Sequence, residues 1–366
     1  MKNNPQDEFF MQRALDLSLL AAGRTSPNPL VGCVIVKNNE IVGEGFHAKA
    51  GTPHAEIVAL QAASEQAMGA DVYVTLEPCS HYGRTPPCTE ALIKAAVKRV
   101  IVAMPDPNPL VNGRGLKKLK EAGIEVEVGL LAKKAGRINE SFIKAVTHKI
   151  PFVLYKSALT LDGKTAVRSG DSKWITSEGA RQYVHNLRNT YDVVMVGSGT
   201  VLQDDPQLTC RNIMGGRNPV RLIVDGSLRV PLEAQVLNPE AGLCILATTN
   251  NADRVKMKEL EVKENVEIWQ YDTERYVPLD KLMKDVAARG LNSILLEGGG
   301  TLAGKMLEQQ LIDKIEFIFA PKVVGLGPVP FSGFQLSKMN DAVRVKDLDF
   351  SPIDGNYIVS GYLDYN

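Results

Sequence analysis

The sequence predicts an α/β protein built from two units in tandem. Three observations lead there. The chain has 366 residues, and at roughly 150 residues per domain that length holds two separate cores. Short strand-like apolar runs alternate with helix-like stretches along both halves, which is the rhythm of sheets layered with helices. The alternation restarts at Pro151 after a helical stretch, so the boundary is expected near residue 150.

The elements follow in order. Asn4-Pro5 opens a helix expected to run to Gly23, with a capping side chain, a proline at the first helical position and a glycine stop. Two extended runs, 31–37 and 41–46, meet at Asn38-Asn39 and predict a hairpin. A helix over 54–67, a strand over 71–76, a helix over 89–97, a strand over 100–104, a helix over 116–122 and a strand over 124–128 complete the first sheet. A helix over 132–148 leads out of it. The second half opens with a strand at 152–157. Further strands are expected at 193–196, 220–224, 243–247, 293–296 and 315–319, with helices over 178–189, 279–289 and 302–310. The stretch 231–276 carries no clear motif. The link between the halves is not rich in Gly and Ser, so the two are expected to pack rather than swing freely.

Lys plus Arg number 42 and Asp plus Glu number 42. With no net charge, the chain has no overall field to draw it to nucleic acid or to an acidic membrane. No apolar run reaches the roughly 18 residues of a membrane span. The first helix carries Asp7, Glu8 and Asp16 where an export signal needs basic residues. Five cysteines, an odd number spread over a long chain, argue against a disulfide framework and fit a reducing cytoplasm. Cys33, Cys210 and Cys244 stand in or beside apolar runs and are expected as core thiols. His148 and His185 are expected on helix surfaces.

The strongest chemical signal is His54-Ala55-Glu56 followed by Pro78-Cys79 and Cys88. One histidine and two cysteines are the ligand set of a catalytic zinc that keeps a fourth position for water. Zinc lowers the pKa of a bound water to about 7, and a carboxylate close to the metal but not bound to it can then move the proton. Glu56 stands two residues from His54 on the first helical turn, the H-x-E logic of zinc deaminases. A structural zinc site needs a fourth protein ligand, and the sequence has no CxxC pair; His81 is the alternative fourth ligand, but Glu56 two residues from a ligand would then have no role. Residues 80–87 separate the two cysteines, eight rather than the two of the short deaminase pattern.

That longer spacing sits in P-C-S-H-Y-G-R-T-P-P-C at 78–88. With T-S-P-N-P-L-V-G at 25–32 and D-P-N-P at 106–109, it resembles the deaminase half of the bifunctional riboflavin-biosynthesis deaminase/reductase. The resemblance implies a cytidine-deaminase-like three-layer α/β/α domain over 1–150. Its substrate would be a diaminopyrimidinone ribosylamine 5′-phosphate that loses its 2-amino group. It makes His54, Cys79 and Cys88 the zinc ligands and Glu56 the proton shuttle. Asn28, His47, His81 and Arg84 resemble substrate contacts, with Arg84 as a phosphate clamp because its fork matches phosphate oxygens.

The second half carries K-S-A-L-T-L-D-G-K at 156–164, S-K-W-I-T at 172–176, V-G-S-G-T at 196–200, D-D-P-Q-L-T at 204–209 and L-E-G-G-G-T-L at 296–302. Glycines after a strand and before a helix let backbone N–H groups approach a phosphate. Gly298, Gly300 and Ala303 satisfy a loose dinucleotide fingerprint, but near the end of the unit instead of its start, which rejects a standard Rossmann domain. The set, in this order after the deaminase signature, resembles the reductase half of the same family. The resemblance implies a dihydrofolate-reductase-like α/β domain over 151–366 that uses NADPH to reduce the ribosyl group to ribityl. Ala158, Trp174, Thr200, Asp204, Gly299, Gly300 and Thr301 resemble cofactor contacts. Ser172, Arg188, Leu208, Arg211 and Glu297 resemble substrate contacts. Lys156 and Asp162 are left open between site and turn roles, and Asp225-Gly226-Ser227 is placed beside the cofactor without a defined contact.

The expected protein is thus a cytoplasmic two-domain enzyme with zinc and NADPH, a small-molecule substrate, no nucleic-acid or membrane partner, and a homodimeric assembly. Two rivals are a nucleoside or RNA-base deaminase and a non-catalytic zinc-stabilised scaffold. The eight-residue insert, the attached second unit and the zero net charge count against the first. Glu56 has no part to play in the second.

Overall fold

A computed structural model describes residues 4–82, 86–108 and 111–365. The chain divides into two compact units between Ile150 and Pro151.

In the first unit, α1 (Pro5–Leu19) is capped by Asn4, whose side chain accepts the Gln6 N–H at 3.1 Å. It stops four residues short of Gly23, and turns carry the chain on. β1 (Gly32–Lys37) and β2 (Glu40–Phe46) form the hairpin. Asn38 and Asn39 both take positive φ, 52° and 68°, as a two-residue turn matched to strand twist requires. Then follow α2 (Ala55–Ala63), β3 (Asp71–Val74), α3 (Cys88–Lys94), β4 (Arg99–Val102), α4 (Arg114–Glu121) and β5 (Glu125–Val128). The single helix expected over 132–148 is two, α5 (Ala132–Ile138) and α6 (Glu140–His148). Asn139 breaks it. Its buried amide accepts from Leu30 N at 2.8 Å and donates to Leu30 O at 2.9 Å, so local bonding to a distant segment displaces the helical path.

The sheet order is β2-β1-β3-β4-β5, antiparallel up to β3 and parallel beyond. Alternate residues of β1 face opposite ways. Cys33 and Ile35 pack with the alanines of α2 and with Leu92 and Leu119, whereas Val34 and Val36 pack with α1 and α5. The result is a three-layer α/β/α sandwich. α2 lies unusually close to β2, because a Cβ on Gly45 would fall 2.5 Å from Ala55 O and one on Gly43 2.4 Å from Ala59 O. This small-residue seam sets where the start of α2, and so His54, comes to rest.

The second unit contains β6 (Phe152–Thr160), α7 (Glu178–Thr190), β7 (Val193–Gly197), α8 (Ser198–Asp204), β8 (Val220–Val224), β9 (Cys244–Thr249), α9 (Arg254–Glu261), β10 (Val266–Tyr271), α10 (Leu279–Ala288), β11 (Ser293–Leu296), α11 (Gly300–Glu308), β12 (Lys314–Ala320), β13 (Arg344–Ile353) and β14 (Asn356–Asp364). Its sheet runs β10-β9-β8-β7-β11-β6-β12-β14-β13. β10 through β12 are parallel, and the C-terminal hairpin adds two antiparallel strands. The stretch 231–276 holds the edge pair β9 and β10, with α9 between them, and β13–β14 was not anticipated. α8 was missed because its seven residues, Ser-Gly-Thr-Val-Leu-Gln-Asp, are too short for a helical period. Among the described residues, no helix is long and apolar enough to cross a membrane.

Candidate active sites

The first site gathers where β3 ends and α2 and α3 begin. His54 caps α2 in an extended conformation, Glu56 lies in the first turn, and Cys88 opens α3. His54 Nδ1 is 3.2 Å from Cys88 Sγ and 3.6 Å from Cys79 Sγ. The three ligand atoms all lie within 4.8 Å of one another. A tetrahedral zinc with bonds of about 2.0 to 2.3 Å spaces its ligands by about 3.5 Å, so this donor set fits zinc. The Cys79 thiol is pulled down to about 4, chiefly by the Cys88 thiol, with His54 and the Cys88 backbone N–H adding to the pull and burial opposing it. A thiolate is the form that binds metal. Glu56 is 3% exposed. Burial pushes its carboxyl up to about 7, with the Cys79 charge adding to the rise. A cation held by the three ligands lowers it again.

A cavity of about 330 Å³ opens over this cluster, and Asn28, His47, His54, Glu56, Cys79 and His81 all line it. His81 is exposed at the rim. Arg84 lies outside the described residues. Reading the sequence missed Glu77. Its buried carboxylate accepts the N–H of Gly115 at 2.9 Å, Gly113 at 3.0 Å, Asp106 at 3.2 Å and Leu116 at 3.4 Å. It therefore pins the segment carrying Asp106 and Asn108, which also line the cavity, to the strand end that carries Cys79. The available signal was an acid two residues before a ligand.

The second site lies at the C-terminal ends of β6, β7 and β11, where parallel sheets bind ligands. Its cavity has about 520 Å³, within the range of cofactor pockets. All seven expected cofactor contacts line it, Ala158, Trp174, Thr200, Asp204, Gly299, Gly300 and Thr301, and so do Ser172 and Glu297. The wall is glycine where neighbouring segments press closest against it. A Cβ on Gly298, held at φ +84°, would fall 2.4 Å from Thr200 Oγ1, and one on Gly300 would fall 2.3 Å from Val329 O. The Gly299 N–H donates to Thr200 Oγ1 at 3.0 Å. A cradle of this size with bare backbone fits a dinucleotide.

Arg188, Leu208 and Arg211 are not among the residues lining this cavity. Arg188, expected as a substrate contact, grips Glu297 through two bonds of 2.7 and 2.9 Å. Its third nitrogen reaches Thr209 O at 3.2 Å. Leu208 packs in the apolar core at φ +55°. Arg211 bonds Gln207 Oε1 at 2.8 Å and Thr209 Oγ1 at 2.9 Å. Burial on its own raises the Glu297 carboxyl, but the Arg188 charge and hydrogen bonds, with Lys156 adding, hold it below its ordinary value. Lys156 does line the cavity. Burial, together with Arg188, lowers its ammonium pKa against the pull of Glu297 and Glu316. Asp162 does not line it. That carboxylate accepts the Thr160 hydroxyl at 2.6 Å and the Gly325 N–H at 2.8 Å, a loop tie. His185 is half-buried and hydrogen-bonded to Thr209 O at 3.2 Å, and Cys210 is half-buried rather than core.

Comparison with known proteins covers both units. Residues 4–104 match the cytidine and deoxycytidylate deaminase zinc-binding region, and residues 151–359 match the RibD C-terminal domain. The riboflavin biosynthesis protein RibD of Synechocystis sp. is 41% identical over 359 residues, 98% of this chain and 96% of its own. That of Escherichia coli is 44% identical over 337 residues, 87% of this chain and 89% of its own. Among solved structures, RibD of Acinetobacter baumannii superposes with a TM-score of 0.87 at 42% identity, covering 98% of this chain and 99% of that one. Two family models in series and relatives matched along nearly their whole length leave one conclusion: this chain belongs to the RibD family of bifunctional riboflavin-biosynthesis enzymes, a zinc-binding deaminase joined to a reductase.

Proposed function

We propose that residues 1–150 deaminate 2,5-diamino-6-ribosylamino-4(3H)-pyrimidinone 5′-phosphate and that residues 151–366 then reduce its ribosyl group to ribityl with NADPH. The product is 5-amino-6-ribitylaminouracil 5′-phosphate. The observation that carries the reading is the buried Glu56 carboxyl beside the His54, Cys79 and Cys88 cluster, in one chain with a glycine-walled dinucleotide cradle.

In the first reaction water replaces the 2-amino group and ammonia leaves. His54, Cys79 and Cys88 would hold zinc, which supplies the acidity that makes water a nucleophile at neutral pH. Glu56 takes the proton from the attacking water and returns it to the departing nitrogen, a general acid-base role worth about 10²- to 10⁴-fold. Asn28 and His81 face the pyrimidine, His47 stands beside Asn28, and Arg84 takes the phosphate. In the second reaction NADPH would supply a hydride to the sugar carbon. Ala158, Trp174, Thr200, Asp204 and Gly299–Gly300–Thr301 hold the cofactor, and Ser172 and Glu297 face the substrate. Arg188 acts from behind Glu297, and Leu208 and Arg211 act from the adjoining segment. We place the protein in the cytoplasm as a homodimer.

The test is a product mass spectrum from the chain, zinc, NADPH and the pyrimidine substrate. The expected result is two mass changes in order, amine replaced by oxygen and then a gain of two hydrogens. The first change alone overturns the reductase assignment. Neither change, with zinc shown bound, overturns the substrate.

A further inference from the structure

His47 makes two hydrogen bonds that together dictate which atom of Asn28 faces the cavity. Its Nδ1 lies 3.2 Å from the carbonyl oxygen of Pro53. A carbonyl only accepts, so Nδ1 carries the hydrogen. In a neutral ring Nε2 is then a bare lone pair. His47 is buried. The Asn28 amide nitrogen lies 3.0 Å from Nε2; an amide nitrogen only donates, so Nε2 is the acceptor and the ring carries its one hydrogen at Nδ1. The Asn28 amide is thus fixed with its nitrogen toward His47. Its Oδ1 has no partner among the described residues, and Asn28 lines the cavity above Glu56.

The lock has something to resist. Glu56 lines the same cavity, and a carboxylate there draws an amide NH2 that nothing holds. An Asn28 turned that way would offer a donor to the ligand where an acceptor is needed.

We infer that His47 is a positioning residue, not a substrate contact, and that it holds Asn28 so that Oδ1 reads an N–H or O–H donor of the bound pyrimidine nucleotide. The inference rests on the assignment of this cavity to the deamination reaction.

The test combines variants with a spectrum. KM and kcat for ammonia release are measured for His47→Phe, His47→Gln, Asn28→Ala and the double variant Asn28→Ala/His47→Phe, each with its zinc content. Gln keeps an acceptor oxygen near the place of Nε2 and should leave KM near that of the parent. Phe removes the acceptor and should raise KM by roughly five- to tenfold, the worth of one hydrogen bond, with kcat and zinc content kept. In the Asn28→Ala background the Phe substitution should add nothing, because His47 acts only through Asn28. Nitrogen-15 NMR of the ring, assigned by its loss in His47→Gln, should report a neutral ring protonated at Nδ1. A Gln variant as weak as Phe, a further loss in the double variant, or an Nε2-protonated ring overturns the inference. Should His47→Phe fail to hold zinc, the Gln variant and the NMR spectrum decide it. If Asn28→Ala leaves deamination unchanged, the assignment of the cavity itself fails, a different result from additivity.

Discussion

The cluster at His54, Cys79 and Cys88 and the cradle at Gly298–Gly300 are both built at strand ends, but from opposite parts of the residue. The first works through side chains. Three ligand atoms within 4.8 Å and one buried carboxyl carry its chemistry, and few other residue types serve there. The second works through the absence of side chains. Gly197, Gly199 and Gly298–Gly300 bare the backbone along part of its wall, which Lys156, Trp174 and Arg181 help complete, and its buried Glu297 is paired with Arg188 behind it. A site of reacting side chains is expected to fail abruptly when one atom changes. A site of shape is expected to fail in proportion to the volume added, and a matched pair to fail mainly through stability.

The largest effect expected is at Glu56. Glu56→Gln keeps the size of the residue and removes the proton carrier, so ammonia release should fall by about 10²- to 10⁴-fold. Zinc content and NADPH oxidation on supplied deaminated substrate should stay intact. Parallel loss of zinc would mean that Glu56 serves the ligand shell, and the contrast with the cradle would weaken.

Next is the pair in the second unit. Arg188→Met leaves the Glu297 carboxylate buried with its main partner gone, a change that typically costs about 3–5 kcal/mol, to be read as a lower Tm of the reductase unit. Glu297 titrates below its ordinary value in the folded chain. The pair's stabilisation is therefore complete above the unfolded carboxyl pKa of about 4.3 and is lost as pH falls through the lower, folded pKa. An acid limb of the Tm profile that persists unchanged in Arg188→Met would show that other carboxylates set it.

The smallest effect expected is at Gly300. Gly300→Ala sets a methyl against Val329 O and Ser332 Oγ, at 2.3 and 2.8 Å before relaxation. The facing loop must move, and NADPH binding should weaken by about tenfold, a cost of the kind seen when a packed contact is overfilled. Deamination should be untouched. Unchanged NADPH affinity would show that the loop yields freely and that the cradle tolerates side chains.

The same contrast explains what was legible before folding. His54, Glu56, Cys79 and Cys88 are chemically distinctive and lie close along the chain, so spacing pointed to the cluster that the fold brings together. The Asn38-Asn39 turn, the Asn4-Pro5 cap and the alternation of strand and helix are local, and local sterics and hydrogen bonding suffice to specify them. The cradle residues were found only as a set, since a glycine run by itself is an ordinary turn.

Tertiary structure decided whatever depends on partners far away in sequence. Asn139 breaks a helix because Leu30 offers its backbone 109 residues away. Glu77 became a loop anchor because residues 106–116 bring four N–H groups to it. Arg188, expected as a substrate contact, is paired with Glu297, 109 residues on. His47 gained its hold on Asn28 only when the β2 end and the 25–28 turn met. Residue type sets what a polar group can bond. Which bond it makes is set by the nearest buried partner, because an unpaired polar group inside a protein is too costly to leave.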